Sequence, residues 1–222
     1  MRLLALCVGA EGPEVAVLGG GSGLLERSRA GPPAELLPEL VGTALAEAGL
    51  GWGELEALAV LTGPGSFTAI RAAVAAARAL ALATGLPIHA ASALELGAAA
   101  CTQEAGPLLV LTPAGRGLVA RQRFAGPQEA AEEPVAVDRT RALFEPGPGE
   151  RLVLVDPDEA LLRSCAERPA RIVRTSAAAL AAFALSRARS GRPPLPGPRV
   201  RPLYLRPADA RPEAGRPLVA RA

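Results

Sequence analysis

The chain has 222 residues, half of them hydrophobic, and a formal net charge of +2. That length holds one large domain or two small ones with an ample core, and so small a charge does not by itself argue for nucleic acid as a ligand. No run of eighteen apolar residues is free of charge, so no membrane span is expected; the opening MRLLALCVG reads as a buried strand, not a signal peptide, and a cytoplasmic protein is expected.

Residues 2–8, 14–18 and 24–30 read as three strands in a meander, with GGGSG as a turn. Pro32 and Pro33 open a helix whose apolar positions Leu36, Leu37, Leu40, Val41, Ala44, Leu45 and Ala48 recur at helical spacing, and Gly49 closes it. LEALAVLTG holds a fourth strand, GPGS starts a second helix from Ser66 to about Thr84, and LPIHAA is a fifth strand. Ser92 and Glu95 form a capping box for a third helix. The pattern then restarts: strands at 108–112 and 118–124, a polar Pro-rich stretch to about 150, and a strand at 151–155. Asp156-Pro157-Asp158-Glu159 reads as a helix start with Asp156 as the cap. RIVRT is a further strand, Ser176 to Ala188 a last helix, and a Pro- and Arg-rich tail follows.

Three strands followed by alternating helices and strands suit the ribonuclease-H-like unit of the actin, Hsp70 and sugar kinase superfamily. The expected fold is α/β, with two such actin-like ATPase units, the second reduced. The division is 1–103 for the N-terminal subdomain, 104–190 for the C-terminal one, and 191–222 for a tail packing partly on the body.

Simple counting bounds the chemistry. The chain has no Lys and no Asn, one His (His89), and Asp only at Asp138, Asp156, Asp158 and Asp209. Gly63-Pro64-Gly65-Ser66 lacks the Lys of a phosphate-binding P-loop and the third Gly of a dinucleotide fingerprint. The backbone N–H groups near Gly65, Ser66, Phe67 and Thr68 form a weak anion-site candidate, set against a tight turn with Ser66 as helix cap. Kinases and ATPases of the actin-like superfamily carry an Asp at the end of the first strand; here that stretch is Leu6-Cys7-Val8-Gly9-Ala10. Cys7, Cys101 and Cys165 are far apart and read as small buried residues, not as metal ligands or disulfides. His89, in an apolar strand, reads as a buried histidine. The arginines 187, 189, 192, 199, 201 and 206 read as a solvated cluster.

The second helix carries a core stripe of Ile70, Val74, Ala77 and Ala81 and a small-residue stripe of Ala69, Ala72, Ala76, Ala79 and Ala83. The second stripe lets another helix approach closely. A tight intramolecular contact and a partner surface explain it equally well.

LTGPGSFTAIRAAVAAARALALATGLPIHAASALELGA resembles the signature of the bacterial TsaB (YeaZ) family. Gly63 through Thr68, Ile70, Arg71, Gly85, Pro87, Ser92, Leu94 and Glu95 match it in type and spacing. Members of that family are non-catalytic partners of TsaD, the enzyme that makes threonylcarbamoyladenosine at position 37 of tRNA. The resemblance implies a scaffold or activating subunit without catalytic residues, metal or cofactor of its own, with ATP or ADP, if bound, at the partner interface. It implies TsaD, a second copy of the chain and TsaE as partners, and tRNA reached only through the complex. It places the interface on Leu36, Leu40, Thr43, Ala44, Ala69, Arg71, Ala72, Ala73 and Ala76. The chain departs from the family at Cys7-Val8-Gly9-Ala10, where Asp-Thr-Ser-like residues are usual, at Pro32 or Pro33 for a His, at Ala69 for a Gly, and at Pro113-Ala114-Gly115-Arg116. The alternatives are a divergent homodimeric paralogue with no TsaD role and an actin-like-fold ATPase or kinase.

Overall fold

The computed structural model describes residues 1–9, 11–21, 23–102, 106–138 and 146–205. Strands β1 (Leu3–Val8), β2 (Pro13–Leu18) and β3 (Leu24–Ser28) form the expected meander; β4 (Ala57–Leu61) and β5 (Ile88–Ala91) extend it. The sheet order is β3-β2-β1-β4-β5, with β1, β4 and β5 parallel and β2 and β3 antiparallel. Both faces are covered, so β1 and β4 are apolar throughout instead of alternating. Along β1, Leu3, Ala5 and Cys7 face one core, while Leu4 and Leu6 face another.

The second half repeats this plan. Strands β6 (Leu108–Gly115), β7 (Leu118–Gly126), β8 (Glu129–Ala130), β9 (Val135–Asp138), β10 (Arg151–Val155) and β11 (Ala170–Val173) form a second sheet. Its order is β11-β10-β6-β7-β8, with β9 also pairing to β7. Taken as β9-β7-β6-β10-β11, it matches the order of the first sheet, so the chain holds two ribonuclease-H-like units. The pair β8–β9 lies in the polar stretch 125–150, where composition argues for loop. The edge of β7 supplies the missing backbone partners there.

Helices α1 (Pro33–Ala48) and α2 (Phe67–Thr84) lie side by side on the outer face of the first sheet, and α4 (Glu159–Ser164) covers the outer face of the second. Between the sheets the helices exchange partners. The helix that follows the first sheet, α3 (Ala93–Ala99), packs on β6 and β10, while α5 (Ala177–Arg189), from the second half, packs on β1 and β2. One core from both halves results, joining Leu3, Ala5 and Leu94 to Leu108, Val110, Val153 and Leu180. By length and composition α2 could cross a membrane, but it carries Arg71 and Arg78, and its Ile70, Ala73, Val74, Ala77 and Ala81 pack on the sheet layer.

The helix ends follow local chemistry, with two corrections. Gly49 and Gly85 close α1 and α2 in the left-handed conformation, and the Ser92–Glu95 capping box is formed. The cap of α4 is Asp158, which accepts from Leu161 N, and not Asp156. Asp156 has a positive φ of 42°, and its carboxylate is taken by the Thr175 N–H and hydroxyl. Ser66 stands at the N-cap position of α2, but its side chain makes no cap hydrogen bond.

As far as residue 205, the tail docks on the body through its apolar residues, while Arg189, Arg192, Arg199 and Arg201 are exposed. Leu195 bridges to Ile88, Val200 is fully buried in the α1–α2 core, and Leu203 N donates to Thr62 O. Arg187 bonds Glu95 at 2.9 Å and lies over the Phe183 ring. Arg206, Asp209 and the rest of the tail lie outside the described residues.

Candidate functional site

In an actin-like fold, the end of β1 and the cleft between the two sheets are where a nucleotide would sit. Here the N-terminus of α5 points into that region, and its free N–H groups would suit a phosphate. The chain fills them itself. Ala177 N donates to Glu14 at 3.2 Å, Ala178 N to Glu26 at 2.7 Å, and Ala179 N to the Ser176 hydroxyl at 3.1 Å. Strand alternation sets this up: Glu14 pairs with Cys7, and Glu26 lies opposite Ala16, so both carboxylates project from the face that carries α5. Asp156 and Glu11 add further negative charge. A phosphate arriving here meets carboxylates where it needs donors.

The titrating groups report the same environment. Burial raises the Glu14 carboxyl above its ordinary pKa, and Glu26, Asp156 and Glu11 push it the same way against the opposing Ala177 N–H. Burial, then Glu14 and Asp156, push the Cys7 thiol far up, so it stays protonated and unreactive. His89 is held below its usual pKa by burial and then by Arg187, which favours neutral imidazole. Among the described residues no three His, Cys, Asp or Glu side chains converge to hold a metal ion.

The Glu14 shift has a signed consequence. A carboxyl whose pKa is higher in the folded chain binds more protons folded than unfolded between the two pKa values, so stability falls as pH rises through that window. Glu14→Gln keeps an oxygen acceptor for Ala177 N and removes the charge. The expected result is a higher Tm than the parent at pH 7–8, with the gain shrinking as the pH falls through the raised pKa toward the ordinary Glu value of about 4.3, and absent below it; thermal melts across pH check it.

The glycine turn has a packing role. Gly63 has a φ of 108°, and a Cβ there would lie 2.7 Å from Ile70 Cδ1, so only glycine lets the turn close over the buried Ile70. The Gly63–Pro64 bond is cis. Gly65, Ser66, Phe67 and Thr68 are all exposed at the start of α2.

The predicted interface residues divide by burial. Leu40, Ala44 and Ala73 belong to the protein's own core, at 8, 0 and 0% exposure, so they cannot meet a partner. Leu36, Ala69, Ala72 and Ala76 are half-buried, and Thr43 and Arg71 are exposed. Leu36 and Thr43 share the flank of Glu39 and Glu47, whose carboxylates pair with Arg29 and Arg27, so they look toward the β3 edge. At about 100° per residue, the crest of α1 instead carries Pro38, Gly42 and Ala46, all exposed. The crest of α2 carries Thr68, Ala72, Ala75 and Ala79. Apart from Glu35, Glu39 and Leu82, each about 20° from a crest residue, the two crests present no long side chain. The exposed Gly and Pro inside α1 are its signal in the sequence.

Comparison with known proteins fits this architecture. The family described as TsaD, tRNA N6-adenosine threonylcarbamoyltransferase, matches residues 33–151. An uncharacterised protein of Mycobacterium tuberculosis (strain H37Rv) is 35% identical over 181 residues, 82% of this chain and 78% of that protein. Two solved structures from Pseudomonas aeruginosa share the fold. YeaZ has a TM-score of 0.74 at 22% identity, covering 91% of this chain and all of that one. An uncharacterised protein with similarity to peptidase YeaZ has a TM-score of 0.76 at 24% identity, covering 92% and 99%. The chain belongs to the TsaD family and is a YeaZ (TsaB)-like protein, built on the two-unit actin-like fold.

Proposed function

We propose that this protein is a non-catalytic scaffold and activating subunit that binds a TsaD enzyme in the threonylcarbamoyladenosine modification of tRNA. The observation that carries this reading is the filled cleft: Glu14 and Glu26 occupy the helix N-terminus that a nucleotide phosphate would use, and β1 ends Leu6-Cys7-Val8, with no Asp where the superfamily carries one. The catalytic end of the fold is closed by the chain's own carboxylates, while the outer helix layer stays open and smooth. A small-residue crest lets the helices of a partner pack at short interaxial distance. The same crest serves a second copy of the chain, so homodimer and TsaD complex compete for one face. TsaD supplies nucleotide, metal and transfer chemistry, and tRNA is reached through it.

The test is affinity capture of the TsaD of the same organism by the tagged full-length chain. A stoichiometric complex that buries at least about 1,200 Å² and dissociates the chain's own dimer is the expected result. No capture from purified components, with the chain folded, removes the reading and favours the divergent paralogue.

A further inference from the structure

Helix α2 has a second exposed face, turned away from the small-residue crest. With about 100° per residue, Phe67, Arg71 and Arg78 lie within roughly 40° of one another, and more than 90° from Ala72 and Ala76. Arg71 is about 40° from Ala75, at the edge of that crest. Along this face runs the docked tail: Gly197 packs against Ala81, Val200 enters the core, and Leu203 bonds Thr62. Arg199, Arg201 and Tyr204 alternate outward from it. At one end Phe67 and Tyr204, 46% and 52% exposed, lie with ring centroids 5.3 Å apart. Arg71 covers the Phe67 ring at 5.1 Å.

Four arginines on this seam, Arg71, Arg78, Arg199 and Arg201, are exposed and pair with no carboxylate among the described residues. Elsewhere seven described arginines face glutamates, Arg2, Arg27, Arg29, Arg121, Arg123, Arg163 and Arg187; the seam differs in gathering four without one along a single face. The chain has only six aromatic residues, and two of them meet in the open at the end of this cationic line.

We propose that the seam between α2 and residues 197–204 is a contact strip for single-stranded RNA. The guanidinium groups neutralise backbone phosphates, and the Phe67–Tyr204 pair offers a face for an unstacked base. From Phe67 to Arg78 is eleven residues of helix, about 17 Å, long enough to follow several successive phosphates. An acidic peptide would use the arginines but has no need of the aromatic pair, which favours RNA as the occupant. The inference concerns the chain alone and does not rest on TsaD binding.

The test uses the full-length chain and a fluorescein-labelled, unstructured 12-nucleotide RNA, read by fluorescence anisotropy from 50 to 300 mM salt. Four phosphate contacts predict a log–log salt slope near about −2.8 for a single strand. The double variant Arg71→Gln/Arg201→Gln is expected to halve that slope and to weaken binding at least tenfold at the lowest salt. Phe67→Leu and Tyr204→Leu are expected to weaken it fivefold or more with the slope unchanged. Arg163→Gln, on the far side of the protein, is expected to change nothing. No binding at 50 mM salt, binding indifferent to these substitutions in folded variants, or equal competition by poly-glutamate of matched charge each overturns the proposal.

Discussion

Ala72→Glu is expected to abolish the proposed capture of TsaD by this chain and to leave the fold intact. Ala72 sits half-buried on the crest of α2, between exposed neighbours that are themselves small. A carboxylate there is solvated in the free chain, so the Tm should move little. In the complex it would be enclosed by a partner helix with no cation to meet it, because Arg71 and Arg78 lie more than about 90° around the helix from Ala72. An unpaired buried charge costs on the order of 3–5 kcal/mol, a loss of at least about a hundredfold in affinity. Titration calorimetry against purified TsaD, with the melting curve of the variant as the fold control, measures both. Undiminished affinity would move the interface off α2. Loss of the fold would instead make Ala72 part of the core.

Gly97→Ala is the strongest expected effect on stability. Gly97 lies in α3, where that helix rests on the second sheet. A Cβ there would stand 2.3 Å from Val155 Cγ2 and 3.0 Å from Val110 Cγ1, and neither valine is exposed. Neither can yield, because each is held between two layers. Overpacking of this kind costs about 1–3 kcal/mol, and a chain of this size loses roughly 2–4 °C per kcal/mol, so a Tm drop of about 2–12 °C is expected. Gly42 gives the contrast within one experiment. It is exposed in the middle of α1 with nothing within 4 Å of a Cβ, so Gly42→Ala should stabilise the isolated chain by about 0.5–1 kcal/mol through backbone entropy alone. Thermal melts of the two variants decide it; equal effects of one sign would contradict the placement of α3 between the sheets.

What was legible in the sequence is local. The apolar runs, the Ser92–Glu95 box and the closing glycines Gly49 and Gly85 each act within a few residues, so strands and helices could be set out in order, and that order already points to the fold. The misses are of three physical kinds. Asp156 and Asp158 are both acceptable caps by type, and only the Thr175 hydrogen bonds, nineteen residues away, decide between them. In the Ala-rich α2 the apolar and outward stripes are made of the same residue, so Ala73 could not be told from a surface position by type; Leu40 and Ala44 already stood in the apolar spacing of α1, and only the resemblance put them on an interface. The docking of α5 on β1 and β2, and its capping by Glu14 and Glu26, join residues more than 150 positions apart. No periodicity carries that information. The alternation within β2 and β3 does give one part of it, since it sets both carboxylates on the inner face.

The filled cleft and the open helix layer support the central proposal, that the chain serves the modification without performing it. The direct measurement is reconstitution of threonylcarbamoyladenosine formation on tRNA with TsaD and the other components of the same organism, with and without this chain. The account predicts little product without it, restoration by the parent chain, and no restoration by Ala72→Glu. Full activity in its absence, or product formed by this chain without TsaD, would contradict it.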